Sequence, residues 1–258
     1  MKAHIVLAHP EPKSFNAHMA ALARDTLQDR GWQVTTTDLY AMGFDPCERA
    51  AHYQDVSDAG RFDAQAEQRY ASDNKTLPPE VRHELDLLDQ SDLVILQYPM
   101  WWHMPPAILK GWFDRVFVYG DVYSSQRKIE NGRFFGKKAM LSLTVAPSRD
   151  AYAFDGRCGE ISLQLWPINF SLTYVGFSAL EPQVTYGVTS GAFNARPEDH
   201  EERLQKAQDD YVRRLQNIEN EAEMPFNTMS DWGEDGRIKA SAPSHSPFIR
   251  HSERLDYS

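Results

Sequence analysis

The stretch Leu93–Tyr98, LVILQY, is followed at once by PMWWHMPP, residues 99–106. A short apolar run that ends at a proline predicts a strand covered on both faces, which is typical of a parallel sheet. Working outward from it, the same kind of reasoning predicts four more strands, at Ala3–Ala8, Gln33–Leu39, Ala139–Thr144 and Leu180–Tyr186.

The segments between these strands predict helices. Ser14 can cap a helix from Phe15 to Arg30, and Gly31 can end it. Further helices are predicted at Pro78–Gln90, Ala107–Val118, Ile161–Tyr174 with an interruption at Pro167, and Pro197–Ala222. The forty polar residues from Tyr40 to Pro79 are too long for a plain connection, which indicates a functional or partly helical segment.

Alternation of strands and helices favours an α/β fold with a parallel sheet and helices on both faces. Five strands suit the flavodoxin-like, doubly wound order 2-1-3-4-5. Such sheets bind ligands outside the carboxyl ends of their strands, where the strand order reverses. The candidate site therefore lies in the loops that follow Ala8, Tyr98 and Thr144.

Composition excludes several classes of function. The 258 residues carry a net charge of −10, which argues against nucleic acid as a partner. No apolar run approaches the ~18 residues of a membrane span, and no signal peptide opens the chain, so we expect a cytoplasmic protein without membrane insertion. Two cysteines, Cys47 and Cys158, and scattered histidines give no metal-binding spacing, so no metal is expected.

Residues 1–223 form the predicted flavodoxin-like domain, and residues 224–258 a C-terminal extension of different composition. A disordered tail is one interpretation of this extension. Its apolar residues favour an extended arm that docks on its own body or on a partner subunit: Phe226, Trp232, Phe248 and Ile249.

The first loop lacks the G-x-G-x-x-G dinucleotide motif. It offers a helix start at Ser14, Phe15 and Asn16, where backbone N–H groups favour a phosphate, and Lys13 adds a charge. A serine that merely caps the helix is the alternative.

The second loop places two indoles and an imidazole, Trp101, Trp102 and His103, directly after the central strand. A planar ligand could stack there, unless both indoles belong to the core. In the third loop, Thr144 to Pro147 would border the same pocket. Tyr152 is a candidate hydrogen-bond donor to a bound ring, whereas Cys158 is expected to be inert.

Together these segments resemble the NAD(P)H:quinone oxidoreductases of the flavodoxin-like superfamily, over roughly residues 3–220. The segments that carry the resemblance are VLAH (6–9) with SFN (14–16), DLYAM (38–42), QYP (97–99), PAILKGWF (106–113) and LWPI (165–168). The resemblance implies a homodimer with one FAD per subunit at the dimer interface.

The resemblance also assigns candidate residues by position. His9, Lys13, Ser14, Phe15 and Asn16 match the loop that binds the FAD diphosphate and ribityl chain. The resemblance implies that three segments line the isoalloxazine: Pro99, Met100, Trp101, Trp102 and His103; Thr144, Val145, Ala146 and Pro147; and Tyr152. Tyr152 is also the catalytic candidate. Arg196 would approach the adenine. The substrate would be contacted by Trp102 and His103 and, from the neighbouring subunit, by Tyr123 and Tyr174.

The chain departs from the family at two places. The usual Thr-Thr-Gly-Gly of the flavin loop is Thr144-Val145-Ala146-Pro147 here, and Pro147 has no N–H to donate. Cys158 stands at the position of the histidine that partners the family's tyrosine. FMN is therefore an alternative to FAD, and we expect slower or differently selective turnover.

The predicted function is a two-electron reductase that passes hydride from NAD(P)H through the bound flavin to a quinone or a similar flat acceptor, in a ping-pong scheme. The alternative is a flavin-binding ancillary subunit of a potassium-efflux transporter with little reductase activity. A flavodoxin-like electron carrier is disfavoured by the bulky aromatic pocket.

Overall fold

A parallel sheet of five strands forms the centre of the molecule. The computed structural model describes residues 1–189 and 198–252. The strands lie in the order β2-β1-β3-β4-β5, so the predicted flavodoxin-like topology is confirmed. They are β1 (Lys2–Leu7), β2 (Gln33–Asp38), β3 (Leu93–Pro99), β4 (Lys138–Thr144) and β5 (Ser178–Thr185).

Helices cover both faces of this sheet. They are α1 (Phe15–Asp29), α2 (Ala64–Asp73), α3 (Pro79–Gln90), α4 (Ala107–Val116), α5 (Ile161–Tyr174) and α6 (His200–Leu215). Helix α2 lies within the long polar segment, which is therefore partly helical as predicted. Gly31 adopts a φ of +82° just beyond α1, a conformation that glycine accepts without strain.

Two helix predictions were wrong in detail. Pro167 does not interrupt α5; it lies on the exposed side of the helix, where water can satisfy the carbonyl group that loses its partner. Helix α6 ends at Leu215 rather than at Ala222. The chain turns there so that Ile218 is buried and the carbonyl groups of Glu219 and Glu221 accept from the Lys138 ammonium.

The core has two layers, one on each face of the sheet. Leucines and aromatic residues of α3, α4 and α5 pack on one face, and α1 and α6 pack on the other. Every residue of β3 is buried, as expected for a strand covered on both sides. The carboxyl ends of β1, β3 and β4 consequently lie side by side at one edge.

The C-terminal extension contacts the body of its own chain. The N–H of Met224 donates to the carbonyl of Ala179 at 2.7 Å. The Phe248 ring lies 5.0 Å from Trp166 and the Phe226 ring 6.4 Å from Phe170, both on α5. The boundary at residue 223 stays a prediction.

Within the two described stretches, no helix combines the length and apolar character needed to cross a bilayer. The same residues contain no group of three or more histidine, cysteine or carboxylate side chains arranged to hold a metal ion.

Candidate active site

Three buried polar side chains join the loops at the carboxyl edge of the sheet. Gln97 Nε2 donates to Asn16 Oδ1 at 2.8 Å, and Asn16 Nδ2 donates to Thr144 Oγ1 at 2.9 Å. This bridge ties the start of α1 to the ends of β3 and β4. Gln97 Oε1 is buried and has no hydrogen-bond partner among the described residues.

The start of α1 is open to an anion. Ser14 caps it, its hydroxyl oxygen accepting from the Ala17 N–H at 3.1 Å. The N–H groups of Phe15 and Asn16 donate to no acceptor in the described part of the chain. Unpaired N–H groups at the positive end of a helix favour a phosphate. Lys13 is exposed beside them.

His9, after β1, is half-buried with its ring 6.1 Å from Trp101. Its Nδ1 lies 3.0 Å from the Glu11 N–H, which must be the donor. Burial lowers the pKa of His9, with the nearby Glu11 and Asp38 carboxylates opposing it only in part. His9 is therefore neutral at pH 7 and carries its hydrogen on Nε2, a donor suited to an anionic ligand.

The loop after β3 is a tight turn whose centre is strained. Trp101 and Met104 exchange backbone hydrogen bonds of 2.9 and 3.0 Å, and Trp102 and His103 between them have φ values of +53° and +62°. Two-residue hairpins of this kind normally use Asn-Gly, and a non-glycine residue there costs about 1–3 kcal/mol. Strain of this kind clusters at ligand sites.

This turn exposes its aromatic side chains. Trp102 is 94% exposed and Trp101 43% exposed, so the interpretation that both belong to the core was wrong. The indole of Trp102 offers a flat apolar face that no described part of the chain covers.

Pro99, buried at the end of β3, is followed by Met100, whose N–H donates to the Thr144 carbonyl at 2.9 Å. The buried Tyr152 comes close to Met100, its hydroxyl lying 3.9 Å from the sulfur. Burial, together with Cys158 and Tyr186, raises the pKa of the Tyr152 phenol. Tyr152 thus stays protonated, and its O–H has only a weak partner.

The loop after β4 offers fewer donors than its neighbours. Val145 faces the core; its N–H donates to Thr185 and its carbonyl accepts from Val188. Pro147 has no N–H. Of residues 145–147, only Ala146 has an N–H without a partner in the described chain. Both backbone polar groups of Val145 are therefore bonded within the chain and its side chain is buried, and its predicted contact with the isoalloxazine stays a prediction.

Tyr123 and Tyr174 come together with their ring centroids 6.1 Å apart. They line a cavity of about 620 Å³ that reaches the turn at Met104 and Pro105. Its apolar walls come mainly from α4, the residue that follows it and α5, and they include Phe113, Phe117, Ile168 and Phe170. Polar side chains such as Gln65 and Gln68 of α2 complete the lining. The predicted residue Arg196 lies outside the described residues.

Three residues near the site were absent from the predicted set. Gln97 could have been found as the lone amide in a strand of apolar residues, at its carboxyl end. Tyr186, whose ring lies 6.1 Å from Tyr152, and Gln164, which contacts His103, gave no local signal.

These residues fit a flavin nucleotide. Open N–H groups at α1 suit its phosphate, the Trp102 indole suits its ring face, and the weakly partnered Tyr152 hydroxyl is a polar atom suited to a ring heteroatom. Only the loop after β4 fits less well, since it supplies the single N–H of Ala146.

The chain is similar to a known protein family and to several known enzymes. A family model described as flavodoxin-like fold matches residues 1–215. NAD(P)H dehydrogenase [quinone] 1 of Cavia porcellus is 41% identical over 189 residues, 72% of this chain and 69% of that protein. Ribosyldihydronicotinamide dehydrogenase [quinone] of Mus musculus is 37% identical over 72% of this chain and 82% of its own length.

A solved structure agrees with these relatives. A crystal structure described as a quinone reductase from Klebsiella pneumoniae superposes with a TM-score of 0.83 at 29% identity, covering 93% of this chain and 94% of that one. The chain belongs to the flavodoxin-like NAD(P)H dehydrogenase (quinone) family of oxidoreductases.

Proposed function

We propose that this protein reduces quinones or similar flat acceptors with NAD(P)H, using FAD held at the carboxyl edge of the sheet, in the cytoplasm. One observation carries the proposal: a strained turn exposes Trp102 at the same sheet edge as the start of α1, where the Phe15 and Asn16 N–H groups have no partner among the described residues. A bound flavin would supply the hydride chemistry.

In this proposal the residues of the chain bind the flavin and orient its ring. The start of α1 and the Nε2–H of His9 hold the phosphates, and the Gln97–Asn16–Thr144 bridge keeps that helix start in register with the loops. Trp102 supports the ring by stacking, and Met100 and Tyr152 border its edge. Tyr152, kept protonated by burial, donates a hydrogen bond to a ring oxygen or nitrogen.

The flat acceptor would occupy the space over Trp102 and His103, close to the cavity lined by Tyr123 and Tyr174. A cavity of about 620 Å³ with mostly apolar walls, which reaches the turn that carries the 94% exposed Trp102 indole, suits coverage by a second copy of the chain. We propose a homodimer on this face. NAD(P)H and the acceptor would then use one pocket in turn, which is a ping-pong scheme.

We place the cofactor site in a domain of residues 1–223, with residues 224–258 as an arm. FAD rather than FMN follows from the family resemblance, and the altered Val145–Pro147 loop makes FMN the alternative outcome.

The test begins with the purified protein. We expect a yellow dimer that releases FAD, identified by mass, and that NADPH or NADH bleaches. Steady-state reduction of menadione should give parallel double-reciprocal lines. A colourless monomer that takes up neither FAD nor FMN would refute the proposal, and intersecting lines would refute the ping-pong scheme alone.

A further inference from the structure

Gln164, on α5, connects two loops of the site. Its Nε2 donates to the carbonyl groups of Cys158 and Gly159, the latter at 3.1 Å, and its Oε1 lies 2.9 Å from Nδ1 of His103. The strained turn at Trp102–His103 is thereby tied to the segment that follows Tyr152.

The carbonyl groups fix the orientation of this amide. A carbonyl oxygen only accepts, so the Gln164 atom that faces Cys158 and Gly159 must be the NH₂ group. The Gln164 oxygen then faces His103, and an oxygen acceptor requires a hydrogen on His103 Nδ1. The neutral imidazole is held as the Nδ1–H tautomer.

The other ring nitrogen of His103 stays available. No hydrogen bond to Nε2 is found within residues 1–189 and 198–252, and the side chain is exposed. The Trp101–Met104 hydrogen bonds hold the left-handed backbone of His103 and so fix the point from which its side chain extends. An Nδ1–H imidazole presents an acceptor lone pair at Nε2.

We infer that Gln164 is a positioning residue that fixes the tautomer of His103. His103 Nε2 then accepts a hydrogen bond, and it selects ligands that present a hydroxyl or an amide N–H to it. The second half of this inference rests on the proposed function; the first half does not.

The tautomer is measured directly by ¹⁵N NMR of histidine-labelled full-length protein above pH 8, with His103→Phe identifying the signal. We expect the Nδ1–H form in the wild type and its loss in Gln164→Met, which has similar volume but lacks the amide oxygen that accepts from His103. An Nε2–H wild type, or an unchanged signal in Gln164→Met, would overturn the positioning role.

The selection is measured by comparing 6-(hydroxymethyl)-1,4-naphthoquinone, whose hydroxyl is too far from the quinone carbonyls to bond to them, with 1,4-naphthoquinone. Gln164→Met and His103→Phe should each lower kcat/KM for the hydroxylated quinone about tenfold more than for the parent, as expected for one lost hydrogen bond. The double variant should match His103→Phe alone, because Gln164 acts through that ring.

Equal losses for both quinones would overturn the selection. If neither quinone is reduced while the tautomer signals are as expected, the proposed function and the selection fail together and the positioning role stands.

Discussion

Asn16 Nδ2 donates to Thr144 Oγ1 at 2.9 Å, across 128 residues of sequence and inside the molecule. The contact links the first turn of α1 with the last residue of β4. It brings the helix start that we propose for the phosphate and the loops that we propose for the ring into one fixed arrangement, which neither segment could achieve alone.

Removing the acceptor of this bridge should weaken the fold. Thr144→Val keeps the side-chain shape but leaves a buried Asn16 N–H unpaired, at a cost of about 1–3 kcal/mol in the free energy of unfolding. Urea unfolding measures it, with Thr36→Val on the exposed face of β2 as the control. A loss no larger than that of the control would show that the bridge contributes nothing.

Glu84 should make stability depend on acid. It is fully buried and accepts from the Trp112 indole at 2.8 Å and the Thr37 hydroxyl at 2.7 Å, with His4 3.7 Å away. Burial alone would raise the pKa of Glu84, but His4 and these donors outweigh burial and lower it.

A carboxylate whose pKa is lower in the folded state stabilises the protein above its unfolded value, near 4.5, and that contribution disappears as the pH falls through the folded value. Glu84→Gln should therefore reduce the free energy of unfolding by about 1–3 kcal/mol at pH 7 and flatten its decline below pH 4.5. Urea titrations at pH 7 and pH 4 measure this against Glu234→Gln, an exposed control. Parallel declines in the two variants would contradict it.

Trp102 should matter to activity and not to stability. Trp102→Gly removes a ring that is 94% exposed and relieves a φ of +53°, so the melting temperature should hold or rise. Loss of stacking worth about 1–1.5 kcal/mol should lower kcat/KM for menadione roughly tenfold. Calorimetry and steady-state rates measure both, and an unstable variant or an unaffected rate would contradict the role of the turn.

Gly111 should tolerate no side chain. A Cβ there would lie 2.1 Å from the carbonyl oxygen of Pro46, because α4 packs directly on that backbone. Gly111→Ala should lower the free energy of unfolding by about 1–3 kcal/mol or more. Gly60→Ala meets only the Asp58 side chain, at 3.3 Å, and serves as the matched control. Equal unfolding midpoints for the two variants would mean that α4 can shift freely.

The sequence alone determined what depends on local pattern. The apolar run at 93–98 specified a strand buried on both faces, and the alternation of elements specified the sheet order and so the edge at which a site is expected. Ser14 specified a helix start, because capping is chemistry between neighbours in the chain.

Contacts between distant segments became known from the folded structure alone. The Gln164–His103 contact spans 61 residues, and the orientation of Val145 follows from pairing with Thr185. The continuity of α5 through the exposed Pro167, and the end of α6 near the Lys138 ammonium, likewise depended on the tertiary structure. Hydrophobic periodicity indicates which residues are buried, but the hydrogen-bond partner of a buried polar group depends on which strands and helices meet in space.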